Sequence, residues 1–132
     1  MMTLQRTVLD EPNYYVTEHF MYSDFICPCC DTIKIVPAFY THTGMLEWLR
    51  REAGFPIVVT SGYRCKNHNA SVGGGVRSWH LLFATDIQPD DKESGKLLRL
   101  FELAQSIGFT GIGRYETFLH LDLRPEALLW RG

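Results

Sequence analysis

The segment TFLHLDLR, residues 117–124, constrains this chain more than any other. Successive side chains of a strand point to opposite faces, so Leu119, Leu121 and Leu123 make one continuous apolar face that belongs on a core. Phe118, His120 and Asp122 then project together from the other face. A strand anchored by three leucines therefore holds an imidazole and a carboxylate side by side. Taken alone, the pattern also describes a hydrogen-bonded His–Asp pair with no chemistry.

A second polar pair stands upstream in SWHLLFATDIQP, where His80 precedes a strand and Asp86 follows six positions later. An unpaired buried carboxylate is costly, so Asp86 in this apolar run needs a partner. Two imidazoles and one carboxylate converging from two strands make a three-ligand zinc site with one open position, as in catalytic zinc. Water in that position becomes acidic enough to supply a nucleophile near neutral pH. Arg64, in SGYR, follows a strand and a glycine turn at the expected rim of this site. It is a candidate for polarising a scissile carbonyl, steadying an oxyanion or gripping a peptide carboxylate; a surface arginine paired with a local acid is the plainer reading.

The remaining segments predict one α+β domain over residues 1–132, with a mostly antiparallel sheet flanked by helices. Pro37 opens a helix through PAFYTHTGMLEWLRREAG, with Phe39, Met45, Leu46 and Leu49 at helical spacing and Gly54 as its stop. DDKESGKLLRLFELAQSIG predicts a second helix, whose apolar side is Leu97, Leu98, Leu100, Phe101, Leu103 and Ala104, ending at Gly108. FPIVVTSG predicts a buried strand, LLFATDI another, and TGIGRY with TFLHLDLR a pair joined by a tight turn. Residues 63–79 predict a loop. Residues 12–26 predict irregular structure covering an edge, and residues 1–20 a covering segment.

Net charge is -2 with Lys and Arg scattered, so nothing marks a nucleic-acid surface. No apolar run approaches the roughly 18 residues that span a bilayer, and MMTLQRTVLDEPNYY lacks the apolar run of a secretory signal. Synthesis as a soluble cytosolic protein, without membrane partners and as a monomer, is expected. Cys27, Cys29, Cys30 and Cys65 leave three readings open: thiols tightening a loop, a disulfide from Cys27 or Cys29 to Cys65, or a second structural zinc completed by His42. His19, His42 and His68 are read as ordinary packing or solvated histidines, and Trp79 as packing or cleft lining.

SGYRCKNHNASVGG, SWHLLFATDI and GIGRYETFLHLDLRP together resemble, in order, the zinc D-Ala-D-Ala carboxypeptidase family, closest to its short phage- and prophage-associated members. The wider superfamily includes murein endopeptidases, vancomycin-resistance dipeptidases and the hedgehog signalling domain. The resemblance implies a hedgehog/D-Ala-D-Ala peptidase-like fold, Zn2+ as cofactor, and peptidoglycan stem or cross-link peptides as substrate, reached after release or delivery to the wall. It implies zinc ligands at His80, Asp86 and His120, a substrate-contacting Arg64, and loop-shaping, substrate-binding positions at Asn69 and Ser78. Two features depart from it. The family separates its first His from its Asp by seven positions, with a Gly where Phe83 stands, and it places a base where this chain has Thr117. Glu116 and Asp122 are the substitute candidates for a catalytic base. In a hedgehog-like alignment Asp122 would take the second ligand place; otherwise it could be the base itself or an acceptor that orients an imidazole. A fold-retaining module without catalysis, and a metal-free domain, are the alternatives to an enzyme.

Overall fold

The computed structural model describes residues 5–8, 14–75, 77–93 and 95–132. Residues 1–4 and 9–13, and with them most of the covering segment expected at the amino terminus, lie outside the described residues. Strand β1 (Gln5–Val8) pairs antiparallel with β2 (Thr32–Ile35) as a separate two-stranded sheet. Then follow α1 (Pro37–Ala53), β3 (Ile57–Ser61), α2 (Lys66–Ser71), β4 (Thr85–Pro89), α3 (Lys96–Ile107), β5 (Gly111–Arg114), β6 (Leu119–Asp122) and β7 (Leu128–Arg131). The main sheet has the order β3-β4-β6-β5-β7; its pairings are antiparallel except β5 with β7, which is parallel. An α+β domain with a largely antiparallel sheet is what the sequence predicts.

Helix α1 begins with Pro37 at its first turn and stops at Gly54, whose φ of 77° is left-handed. Helix α3 stops the same way at Gly108, with φ 112°. The two helices pack on each other, and α3 also lies on β4, β5 and β6. Phe39, Leu46 and Leu49 of α1, Leu100 and Ala104 of α3, Ile87 of β4 and Leu119 and Leu121 of β6 form the core with no exposed surface. Phe20, Phe25, Phe39 and Phe83 add an aromatic cluster with centroid separations of 4.9–6.0 Å. Residues 14–26 are irregular, with one 3-10 turn at Tyr22–Asp24, and insert Phe20 and Phe25 into this cluster.

Four expectations are corrected. The strand in FPIVVTSG is not buried on both faces: β3 is an edge strand, and Val58 is 43% exposed. The strand in LLFATDI starts only at Thr85, because Trp79–Leu81 form a 3-10 turn. Residues 63–79 are not all loop, since α2 forms there with Cys65 as its cap, the sulfur accepting from the His68 amide at 3.3 Å. The apolar side of α3 is narrower than predicted, with Leu98 47% exposed. Among the described residues no helix is long and apolar enough to cross a membrane.

His42 is a core residue, 1% exposed, with Nε2 2.9 Å from Thr85 Oγ1 and its ring edge-on to Phe83 and Phe109. Burial pushes its pKa from the usual 6.5 down to about 3. Between those values the unfolded chain binds a proton that the folded chain excludes, so stability falls as pH drops through this window. At pH 5 the cost is about 2 kcal/mol relative to pH 8. Urea unfolding at the two pH values should show this loss, and His42→Gln, which can still meet Thr85, should remove that part of the difference.

Candidate metal centre

The sheet register brings the predicted ligands together. Asp86 on β4 lies directly opposite His120 on the central strand β6, and on its other side opposite Ser61 at the end of β3. His80 arrives from the 3-10 turn, where Ser78 Oγ accepts from the His80 amide at 3.2 Å. The SGYR turn grips His80 from both sides: Gly62 O accepts from the ring Nδ1 at 2.7 Å, and the Arg64 amide donates to His80 O at 2.9 Å. Gly62 is required at this crossing, because a Cβ there would stand 2.6 Å from Phe25 Cα. The interval of six between His80 and Asp86 therefore still closes the site, with Phe83 turned into the core.

The proton positions follow from the acceptors. A carbonyl can only accept, so His80 carries its hydrogen on Nδ1 and turns the Nε2 lone pair toward Asp86 Oδ1, 3.2 Å away. His120 Nε2 donates to Asp122 Oδ2 at 2.7 Å, which leaves Nδ1 facing the same Asp86 Oδ1 at 3.2 Å. Two ring nitrogens and a carboxylate oxygen thus converge on one point, each offering electrons, with all three ligand atoms within 4.8 Å of one another. Such a convergence calls for a cation at its centre. Bonds of about 2.1 Å to a tetrahedral ion set ligand atoms about 3.4 Å apart, close to the spacing found. The donor set fits zinc.

Burial would raise the Asp86 pKa, but its pairing with the His120 and His80 rings outweighs it and holds the carboxyl at about 2. Burial would likewise depress His120, yet Asp122 and Asp86 draw its pKa above the ordinary histidine value. Asp122 has no exposed surface and sits behind His120. Burial opposes its charge, but Arg124 first and His120 second keep it far below the usual carboxylate range. Arg124 clamps it with Nε to Oδ1 at 2.9 Å and Nη2 to Oδ2 at 2.6 Å. Gly111, opposite Asp122, makes room for the carboxylate: a Cβ there would meet Oδ1 at 2.0 Å.

The three ligand candidates open on a cleft of about 630 Å³. Arg64 and Ser78 line it. Arg64 Nη2 lies 3.5 Å from Asp86 Oδ2, while Nε donates to Ser61 Oγ and Nη1 to Asn69 Oδ1. Asn69 itself is buried and does not line the cleft; its side chain joins Arg64 to Gly75 O and so shapes the loop. Glu116 is not brought to the cluster: it is exposed in the turn after β5 and lines a different cavity with Gln88 and Asp90. Asp122 touches the cluster only through His120. Among the described residues lining the cleft, Asp86 is the one carboxylate.

Sequence reasoning missed Arg77, Arg124 and Trp130, which also line the cleft. Trp130 comes from β7, in a stretch with no strand expectation, and lies 5.2 Å from the His120 ring centroid. Arg124 stacks on it at 4.7 Å. The R of HLDLR, one step beyond the alternating run, is the signal that marks Arg124.

The sequence matches the profile of the peptidase M15 family over residues 18–122, which spans β2 through β6 and all three ligand candidates. The chain belongs to the peptidase M15 family. A search of curated proteins finds no match. Members of the M15 family are zinc-dependent, and His80, Asp86 and His120 are this M15 chain's possible metal site.

Proposed function

We propose that this M15 chain is a zinc peptidase that hydrolyses amide bonds in peptidoglycan stem or cross-link peptides, acting on the wall after release or delivery. The observation that carries the reading is the convergence of His80 Nε2, Asp86 Oδ1 and His120 Nδ1 at the floor of an open cleft. Zinc bound there supplies Lewis acidity and brings the pKa of a coordinated water toward neutrality. The protein does the rest. Gly62 O and Asp122 fix the two imidazole tautomers, and Asp86 stays ionised throughout the neutral range. Arg64 offers a cation beside the ligands to hold the carbonyl oxygen as it gains charge. Arg64, Arg77 and Arg124 give the cleft a positive wall suited to a peptide bearing carboxylates, and Trp79 and Trp130 give it flat apolar surfaces.

The test is digestion of purified peptidoglycan and of defined stem peptides by zinc-loaded protein, with products read by mass spectrometry. New amine and carboxyl termini, absent with His80→Ala, are expected. Arg64→Ala should keep its zinc and lose roughly 10²–10³-fold in kcat, the effect of removing one oxyanion donor. A second reading, a wall-binding module that keeps the metal without turnover, is favoured by the lack of a cleft carboxylate beyond Asp86 among the described residues. Stoichiometric zinc with no released peptide would select it.

A further inference from the structure

The four cysteines form a cluster of their own. Cys27, Cys29 and Cys30 lie on one tight turn, closed by the Cys27 amide to Thr32 O at 2.7 Å and the Asp31 amide to Cys27 O at 2.8 Å. Asp31 takes a left-handed φ of 55°, which reverses the chain there. The fourth thiol, Cys65, is distant in sequence and caps α2. Its sulfur nevertheless lies 3.3 Å from Cys29 Sγ, and Cys29 Sγ lies 3.5 Å from Cys27 Sγ. All four sulfurs are within 4.8 Å of one another, and none is in a disulfide.

We propose that Cys27, Cys29, Cys30 and Cys65 form a structural site for one thiophilic divalent cation, zinc by its ligand chemistry, separate from the His80–Asp86–His120 centre. Four thiolates about 2.3 Å from a tetrahedral ion have sulfur–sulfur edges of about 3.8 Å, within the range found. A disulfide would need two of the sulfurs at about 2.0 Å and would leave the other two without a purpose for their convergence. The amide of His68 donates to Cys65 Sγ, the kind of outer hydrogen bond that supports a metal thiolate. Closed four-cysteine sets are structural rather than catalytic, because no position stays open for substrate. His42 is not part of the site, since it is spent on Thr85 in the core.

The site has a structural task. Cys65 directly follows Arg64, and the Tyr63 amide donates to Phe25 O at 2.9 Å. The metal would therefore staple the turn after Phe25 to the loop that carries Arg64 and holds His80. Thiolate coordination supplies folding free energy where few backbone bonds do so.

The inference does not depend on turnover, so its test counts metal. Protein prepared with zinc under a non-thiol reductant and desalted should hold about two equivalents of zinc per chain. The double variant Cys29→Ser/Cys30→Ser should lose one equivalent and His80→Ala the other. Because the double variant could also fold poorly, the wild-type protein provides a second readout. Cobalt substitution should give an intense sulfur-to-cobalt charge-transfer band, and the exposed Cys29 and Cys30 should resist a thiol reagent until a chelator is added. One equivalent in the wild type that the double variant retains, no charge-transfer band, immediate reaction of the exposed thiols, or a Cys29–Cys65 disulfide found by non-reducing peptide mapping would each overturn the proposal.

Discussion

His80→Ala should lose the zinc of the His/Asp centre and, with it, at least roughly 10³-fold of peptide hydrolysis, as expected when both the Lewis acid and the activated water are removed. The expectation follows from geometry. Asp86 Oδ1 is shared by two imidazoles at 3.2 Å, and two ligands hold an ion that prefers four far less well than three. The fold should survive, because the variant gives up one ring hydrogen bond to Gly62 O but keeps the backbone bond from the Arg64 amide. A lost side-chain bond of this kind costs about 1 kcal/mol. Zinc content, a near-native circular dichroism spectrum and product release, measured on one preparation, separate loss of metal from loss of fold.

Asp122→Asn is the second large effect and the more discriminating one. The asparagine oxygen can still accept from His120 Nε2, so the ring keeps its orientation, but the negative charge behind it is gone. Removing such an orienting carboxylate weakens metal binding roughly 10–100-fold. Competition against a chelator of known affinity should read that drop in Asp122→Asn with the same number of ligands bound. Stability should fall too: Arg124 loses its buried counter-charge, a change that costs about 3–5 kcal/mol when a buried pair is broken. Were Asp122 itself a zinc ligand, the variant would lose the ion outright, and a direct role as base would remove turnover while leaving zinc affinity unchanged.

Much of the site was readable because its residues stand in strongly patterned segments. Leu119, Leu121 and His120 could be assigned to opposite faces from alternation alone, and α1 is bounded by a proline and a left-handed glycine that obey local rules. Their place in the chain also carried the M15 resemblance. What was not readable depends on distant contacts. Strands β1, β2 and β7 are as short as β6 but lack the run of alternating leucines that extends past its end, and they exist because a neighbour pairs with them. Helix α2 is hidden among turn-forming residues and capped by a cysteine sulfur, not by the oxygen that usually signals a start. Glu116 illustrates the limit of spacing arguments: its distance along the chain from His120 suits a base, yet it lies in the turn between β5 and β6, where position is set by the loop and not by the strand. Fourth-ligand assignment in the cysteine cluster fails for the same reason. Cys65 and His42 were both available by composition, and only packing sends His42 into the core.

Anomalous diffraction at the zinc edge, from crystals grown with zinc near neutral pH, would locate the ion among the side chains of the His/Asp centre. The account predicts a peak about 2.0–2.2 Å from each of His80 Nε2, Asp86 Oδ1 and His120 Nδ1, with Asp122 still bonded to the far nitrogen of His120. No peak between these three atoms, or an ion held by Asp122 or Glu116 in place of His120, would contradict it.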